Sequence, residues 1–163
     1  MGKTQQAIFA AGCFWGVQFY FDQVPGVRRT EVGYTGGHTE NPSYEEVCTH
    51  TTGHAEAVRI DFDPAKISYA TLLKQFFRMH DPTQLNRQGP DVGDSYRSVV
   101  FYLDENQKKE ALVAKDDAQK NWQEPIVTQI VAASQFYPAE AYHQKFAERT
   151  GRGMCHVPYQ PVG

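Results

Sequence analysis

The sequence predicts an α+β fold, a two-layer sandwich in which helices pack against one mixed β-sheet. Three observations point there. Segments of strand periodicity and of helix periodicity interleave along the chain. Their alternation is irregular and several connections are short, unlike a doubly wound nucleotide-binding fold. No repeat, low-complexity segment or linker breaks the chain. Its 163 residues fit one domain, which buries roughly 70% of its unfolded surface and needs no metal or disulfide to hold a core.

Residues 6–11 read as a short buried strand ending at Gly12. A helix follows over 13–22, where Phe14, Val17, Tyr20 and Phe21 recur at helical spacing, until Pro25-Gly26 breaks it. Residues 27–35 form a strand that stops at Gly36-Gly37, and 43–47 form a helical turn. Over 54–62, Glu56, Val58, Ile60 and Phe62 fall on one strand face, Arg59 and Asp61 on the other. The segment 68–80 is an amphipathic helix with Ser68 as N-cap and a stripe of Tyr69, Leu72, Leu73, Phe76, Phe77 and His80. Residues 83–95 carry Gly and Pro without periodicity and read as a loop. A strand over 96–103, a charged helix over 105–122, a β-branched strand over 126–132 and a last helix over 138–149 complete the series. The expected whole is one catalytic domain over 1–163, with a ferredoxin-like core and an irregular Gly/Pro-rich tail from about 150.

Composition removes several function classes. The net charge is −3 with no basic run, which argues against nucleic acid or an anionic membrane as main partner. No apolar run reaches the ~20 residues that span a bilayer. The polar residues 1–6 lead straight into a strand, so no signal peptide is expected. Asn41-Pro42-Ser43 is no glycosylation acceptor, because proline holds its middle position. Three cysteines without a Cys-x-x-Cys pair make a poor disulfide framework and suggest working thiols in a reducing compartment, with cytoplasm as the default.

Cys13 stands after a strand at the start of a helix, between Gly12 and Gly16. Helix N-termini present unpaired N–H groups and a partial positive charge, which can lower a thiol's pKa from ~8.5. Phe14 and Trp15 offer an apolar wall beside the sulfur. The same position also suits a small buried hydrophobe. Glu56 shares a strand face with Val58, Ile60 and Phe62; desolvation there would raise its pKa and make it an acid near neutrality, whereas at a solvated strand end it would stay ionised.

The run Gly12-Cys13-Phe14-Trp15-Gly16 resembles the signature of the A-type peptide methionine sulfoxide reductases. Further blocks in the same order are similar to that family: 32–37, Tyr44-Glu45-Glu46-Val47-Cys48, Gly53-His54-Ala55-Glu56-Ala57-Val58, His80-Asp81-Pro82-Thr83 and Tyr96-Arg97-Ser98. The resemblance spans about 8–142. It implies a thiol oxidoreductase that repairs oxidised proteins, with Cys13 as nucleophile, Glu56 as acid, and Tyr44 and Tyr96 as hydrogen-bond donors to the sulfoxide oxygen. It also implies Phe14 and Trp15 as the pocket for the S-methyl group, Asp91 as an acidic neighbour of the cysteine, and the S epimer as substrate, free or in peptides and proteins. The loop departs from the family pattern: Gly89-Pro90-Asp91 stands where Gly-Asn-Asp is usual, and Asp94-Ser95 where Thr-Gln is common. The family keeps resolving cysteines in a Gly-rich C-terminal segment, which points to Cys155 in Gly151-Arg152-Gly153-Met154-Cys155-His156. The sulfenic acid on Cys13 would condense with Cys155, and a thioredoxin-like dithiol would reduce the disulfide. Cys48 is expected to be a packing residue. No metal or bound cofactor is expected, and the chain is taken as a monomer.

Two rivals differ in class. A cysteine hydrolase would use His54 or His143 as base with Asp91 as orienter, and would need no second cysteine. A metal-binding module would use Cys48, His50 and His54, a one-sided set without a second ligand pair.

Overall fold

The computed structural model describes residues 4–89 and 91–145. Strands β1 (Gln5–Ala11), β2 (Val27–Thr35), β3 (Ala55–Phe62), β6 (Ser98–Tyr102), β7 (Gln129–Ala132) and β8 (Tyr137–Pro138) form one sheet in the order β7-β6-β1-β3-β2-β8. All neighbours run antiparallel except β6 and β7, so the sheet is mixed as expected. Strands β4 (Arg87–Gln88) and β5 (Asp91–Val92) form a separate two-residue ladder. The helices are α1 (Phe14–Asp22), α2 (Tyr44–Cys48), α3 (Tyr69–Arg78) and α4 (Glu105–Gln119). Apart from the short α2, the central strands β1, β2, β3 and β6 with α1 and α3 follow the chain order β-α-β-β-α-β.

The pleat divides the core. Ala7, Phe9 and Ala11 of β1 face the helices with Val58, Ile60 and Phe62 of β3, while Ile8 and Ala10 face away with Ala55, Ala57, Val99, Phe101 and Phe136. Phe9 lies 5.0–6.1 Å, ring centre to ring centre, from Phe21, Tyr69 and Phe76. Burying each such side chain contributes about 1.5–3 kcal/mol. The stripe expected on the 68–80 segment is buried throughout, and the Ser68 side chain accepts the Thr71 N–H at 3.1 Å.

Three expectations are corrected. The segment 83–95 is not structureless: it holds the β4–β5 ladder and a 3₁₀ turn, Asp94–Tyr96, which leaves Tyr96 outside the following strand. The charged helix stops at Gln119 rather than 122. The helix expected over 138–149 does not form across its described part. Tyr137 and Pro138 pair with Tyr34 and Gly33 on the edge of β2, a single 3₁₀ turn spans Ala141–His143, and Lys145 adopts a left-handed φ of 59°. The unpaired β2 edge overrides the helical propensity of the Ala-Glu-Ala run. Ala139 N–H donates to Val32 O at 2.9 Å, and the Gln144 amide bonds both Val32 N and Val32 O at 3.0 Å. A proline is tolerated there because the strand is an edge. Gly33 permits the approach, since a Cβ on it would lie 2.6 Å from the Phe136 ring.

Candidate active site

Antiparallel pairing brings the site residues to one end of the sheet. Ala11 at the end of β1 pairs with Ser98 at the start of β6, and Thr35 at the end of β2 pairs with Ala55 at the start of β3. Cys13, Tyr44, Glu56, Asp91 and Tyr96 lie at or just beyond those strand ends. Gly12, with φ 95°, turns the chain out of β1 into α1, a conformation that would strain other residues. Cys13 then occupies the N-cap of α1.

The helix terminus acts on the sulfur as expected: the backbone N–H groups of Trp15 and Gly16 hydrogen-bond it and favour the thiolate. The outcome is the opposite of the expectation. Burial first, then the Glu56 and Asp91 carboxyls, push the Cys13 thiol up well above its ordinary value, so Cys13 rests as a thiol. Glu56 is 1% exposed, on the helix-facing side of β3. Its Oε1 accepts the Phe14 N–H at 3.2 Å, and its Oε2 is buried with no hydrogen-bond partner among the described residues. Burial pushes its carboxyl up to about 8; the Phe14 N–H opposes this and Asp91 adds to it. Glu56 thus carries its proton at neutral pH, hydrogen-bonded to the first residue of the helix that Cys13 caps.

Tyr44 and Tyr96 are half-buried, and burial and Glu56 hold both phenols above their ordinary range as O–H donors. Asp91, Cys48 and Cys13 act electrostatically on Tyr96 as well, which puts it among the site's charges. The Tyr44 and Cys48 side chains interact directly. Cys48, expected as a packing residue, is a partly buried free thiol beside Tyr44, and burial raises it. Phe14 has no exposed surface, its ring lying 5.6 Å from Tyr34. Of the aromatic pair only Trp15 presents apolar surface outward, 6.3 Å from the Tyr44 ring. The departures at Asp94 and Ser95 have a contact of their own: both approach His50 Nδ1, at 3.6 and 3.3 Å, beside Tyr96.

Of two residues in the segment expected to be helical, the sequence did not single out Glu140, and it offered His143 only as the base of the rival hydrolase. Glu140 accepts Tyr34 O–H and Tyr44 N–H, both at 3.0 Å, and His143 accepts the Trp15 indole N–H at 2.9 Å. No periodicity marks them, because they act from an edge strand and a 3₁₀ turn. Cys155 lies outside the described residues, as does Pro90.

The rival readings lose their bases and ligands. His54 Nδ1 accepts the Gly37 N–H at 3.0 Å, which leaves Nε2 to donate to Thr39 O at 2.6 Å. His143 Nδ1 is taken by Trp15. Among the described residues no three His, Cys, Asp or Glu side chains could hold a metal ion. A groove of about 1000 Å³ between α3 and α4, lined by Phe77, Val113 and Trp122 among others, includes none of the five site residues. No helix among the described residues is long and apolar enough to cross a membrane.

The model of a family described as peptide methionine sulfoxide reductase matches residues 5–162. A peptide methionine sulfoxide reductase MsrA of Methanosarcina acetivorans is 57% identical over 149 residues, covering 90% of this chain and 79% of that protein. Among solved structures, Mxr1 of Saccharomyces cerevisiae in reduced form superposes with a TM-score of 0.90 at 34% identity, covering 94% of this chain and 90% of that one. Mxr1 in complex with Trx2 gives a TM-score of 0.64 at 26% identity, covering 89% and 86%.

Proposed function

The chain belongs to the peptide methionine sulfoxide reductase family, and from that premise we propose how its own residues carry the reaction. The enzyme reduces methionine S-sulfoxide to methionine. Cys13 is the nucleophile and Glu56 the acid. The sulfoxide oxygen is a poor leaving group until protonated. Glu56 gives it a proton and recovers one from the Cys13 thiol as sulfur attacks sulfur. An S–S bond to the substrate forms first; the protonated oxygen then passes to Cys13 as that S–S bond and the sulfoxide S–O bond break, which leaves methionine and a Cys13 sulfenic acid. The raised carboxyl and the raised thiol suit this exchange, since each enters the step carrying its proton.

Tyr96 and Tyr44 hold the oxygen, each as an O–H donor. Trp15, backed by Phe14, forms the wall for the S-methyl group. Asp91 adds negative charge that keeps Glu56 and Cys13 protonated at rest. With oxygen donors on one side and hydrocarbon on the other, the pocket accepts one epimer at sulfur; the two sulfoxide epimers have separate enzymes. Cys155 then condenses with the sulfenic acid, releasing water and forming a Cys13–Cys155 disulfide. An external thioredoxin-type dithiol reduces it, a role supported by the Trx2 complex of Mxr1. The cycle asks for no bound cofactor, and we take 1–163 as one catalytic domain acting as a monomer in the cytoplasm.

The bond from Phe14 N–H to the buried Glu56 carboxyl, which ties that carboxyl to the residue next to Cys13, is the observation that carries this assignment. Cys13→Ser tests it. Single-turnover reduction of the S sulfoxide falls to background in that variant, with Glu56 still in place. Residual turnover near the wild-type rate would contradict the assignment.

A further inference from the structure

We infer that His143 is a specificity-determining positioning residue, which holds Trp15 so that the S-methyl wall presents carbon only. The inference rests on the assignment of Trp15 to that wall. An indole N–H can donate and cannot accept. The 2.9 Å bond from Trp15 Nε1 to His143 Nδ1 therefore requires Nδ1 to be bare, and the ring proton sits on Nε2. His143 has no exposed surface and is enclosed by Trp15, Phe14, Tyr44 and Tyr142, with ring centres 4.1–5.5 Å away. Burial lowers its tendency to protonate, against the pull of Glu140, which keeps Nδ1 an acceptor. Its Nε2 is buried without a partner among the described residues. Among the described residues the ring is thus held in place by its bond to Trp15 and by packing.

The consequence is chemical. Trp15 has one polar atom, and His143 takes it. The hydrogen-bond donors left for a sulfoxide oxygen then lie on the Glu56 and Tyr96 side. Without His143 the indole N–H is free to turn toward the pocket and donate to an oxygen placed where the methyl belongs. That is the placement the R epimer needs when its sulfur faces Cys13. Holding the indole N–H therefore contributes to rejecting the wrong epimer, in addition to fixing the ring.

The test uses the full chain and two variants. His143→Phe keeps ring volume and removes the acceptor; His143→Asn keeps an acceptor near the Nδ1 position. Only two tryptophans are present, so the indole N–H resonances are readily assigned. The expected result in His143→Phe is an upfield move of the Trp15 indole proton, with Trp122 unmoved. The ratio of single-turnover rates for S over R sulfoxide should fall about tenfold, mainly through weaker S binding and new R turnover, with substantial recovery in His143→Asn. A merely structural role would lower the amount of active protein and leave that ratio unmoved, so the ratio also reads a variant that folds poorly. An unmoved Trp15 resonance, or a moved resonance with an unchanged ratio, overturns the inference. Absence of S turnover in the wild-type protein overturns both the inference and the function it rests on.

Discussion

Glu56 has one carboxyl oxygen tied to a backbone N–H and the other in dry surroundings, and this leaves a thermodynamic signature separable from catalysis. Its carboxyl is raised from an ordinary 4.5 to about 8 in the folded protein. Between those values the unfolded chain is ionised and the folded one still carries its proton. The contribution of Glu56 is thus fully present below pH 4.5 and lost as pH rises through 8. Glu56→Gln, which does not ionise, is therefore expected to gain in stability over the parent across that interval, with the difference level above it. Urea unfolding of both proteins from pH 4 to 9 checks this; a constant difference would mean that Glu56 is ionised in the folded state. The residue's buried face and its raised carboxyl were legible in the strand alternation. The raised Cys13 thiol was not, because a one-dimensional reading sees the helix terminus but not the burial of the sulfur or the carboxyls near it.

Among the elements, α3, β6 and the approach to β7 meet at a buried polar chain. His80 Nδ1 lies 2.6 Å from Phe76 O at the end of α3, and Nε2 lies 2.8 Å from Ser98 Oγ, which lies 2.7 Å from Thr128 Oγ1. Nδ1–H donates to the carbonyl, so Nε2 accepts from Ser98. Burial lowers His80 to about 4 against an ordinary 6.5. The unfolded chain binds the extra proton in that interval, so this stabilisation is present above pH 6.5 and lost as pH falls through 4. His80→Leu is expected to cost about 1–3 kcal/mol at pH 7 and to show a shallower loss of stability between pH 6.5 and 4. Equal slopes in the two proteins would contradict it. The helix stripe that includes His80 was legible from its spacing, and so were most strands, because one buried face imposes a strict period. The segment 138–145 was misread as helix because its conformation answers to a distant sheet edge, which local periodicity does not record.

At the scale of the whole molecule, the sheet's order makes one site of residues spread from Cys13 to His143. The contributions from 13–16, 44–56 and 91–96 carried motifs and were readable. Those of Glu140 and His143 arise only when the chain returns to β2. The proposed cycle adds Cys155. Cys155→Ser is expected to retain one turnover per molecule while thioredoxin-driven cycling falls at least tenfold, about the effect of losing an efficient thiol exchange step. Unimpaired cycling would move the resolving role to another thiol, Cys48 first. The most direct measurement mixes pre-reduced protein, freed of reductant, with the resolved S and R sulfoxides of a blocked methionine, and counts methionine formed and thiols lost. The account predicts one methionine and two lost thiols per molecule with the S epimer, and none with the R. Equal product from both epimers, or none from either with all thiols intact, would contradict it.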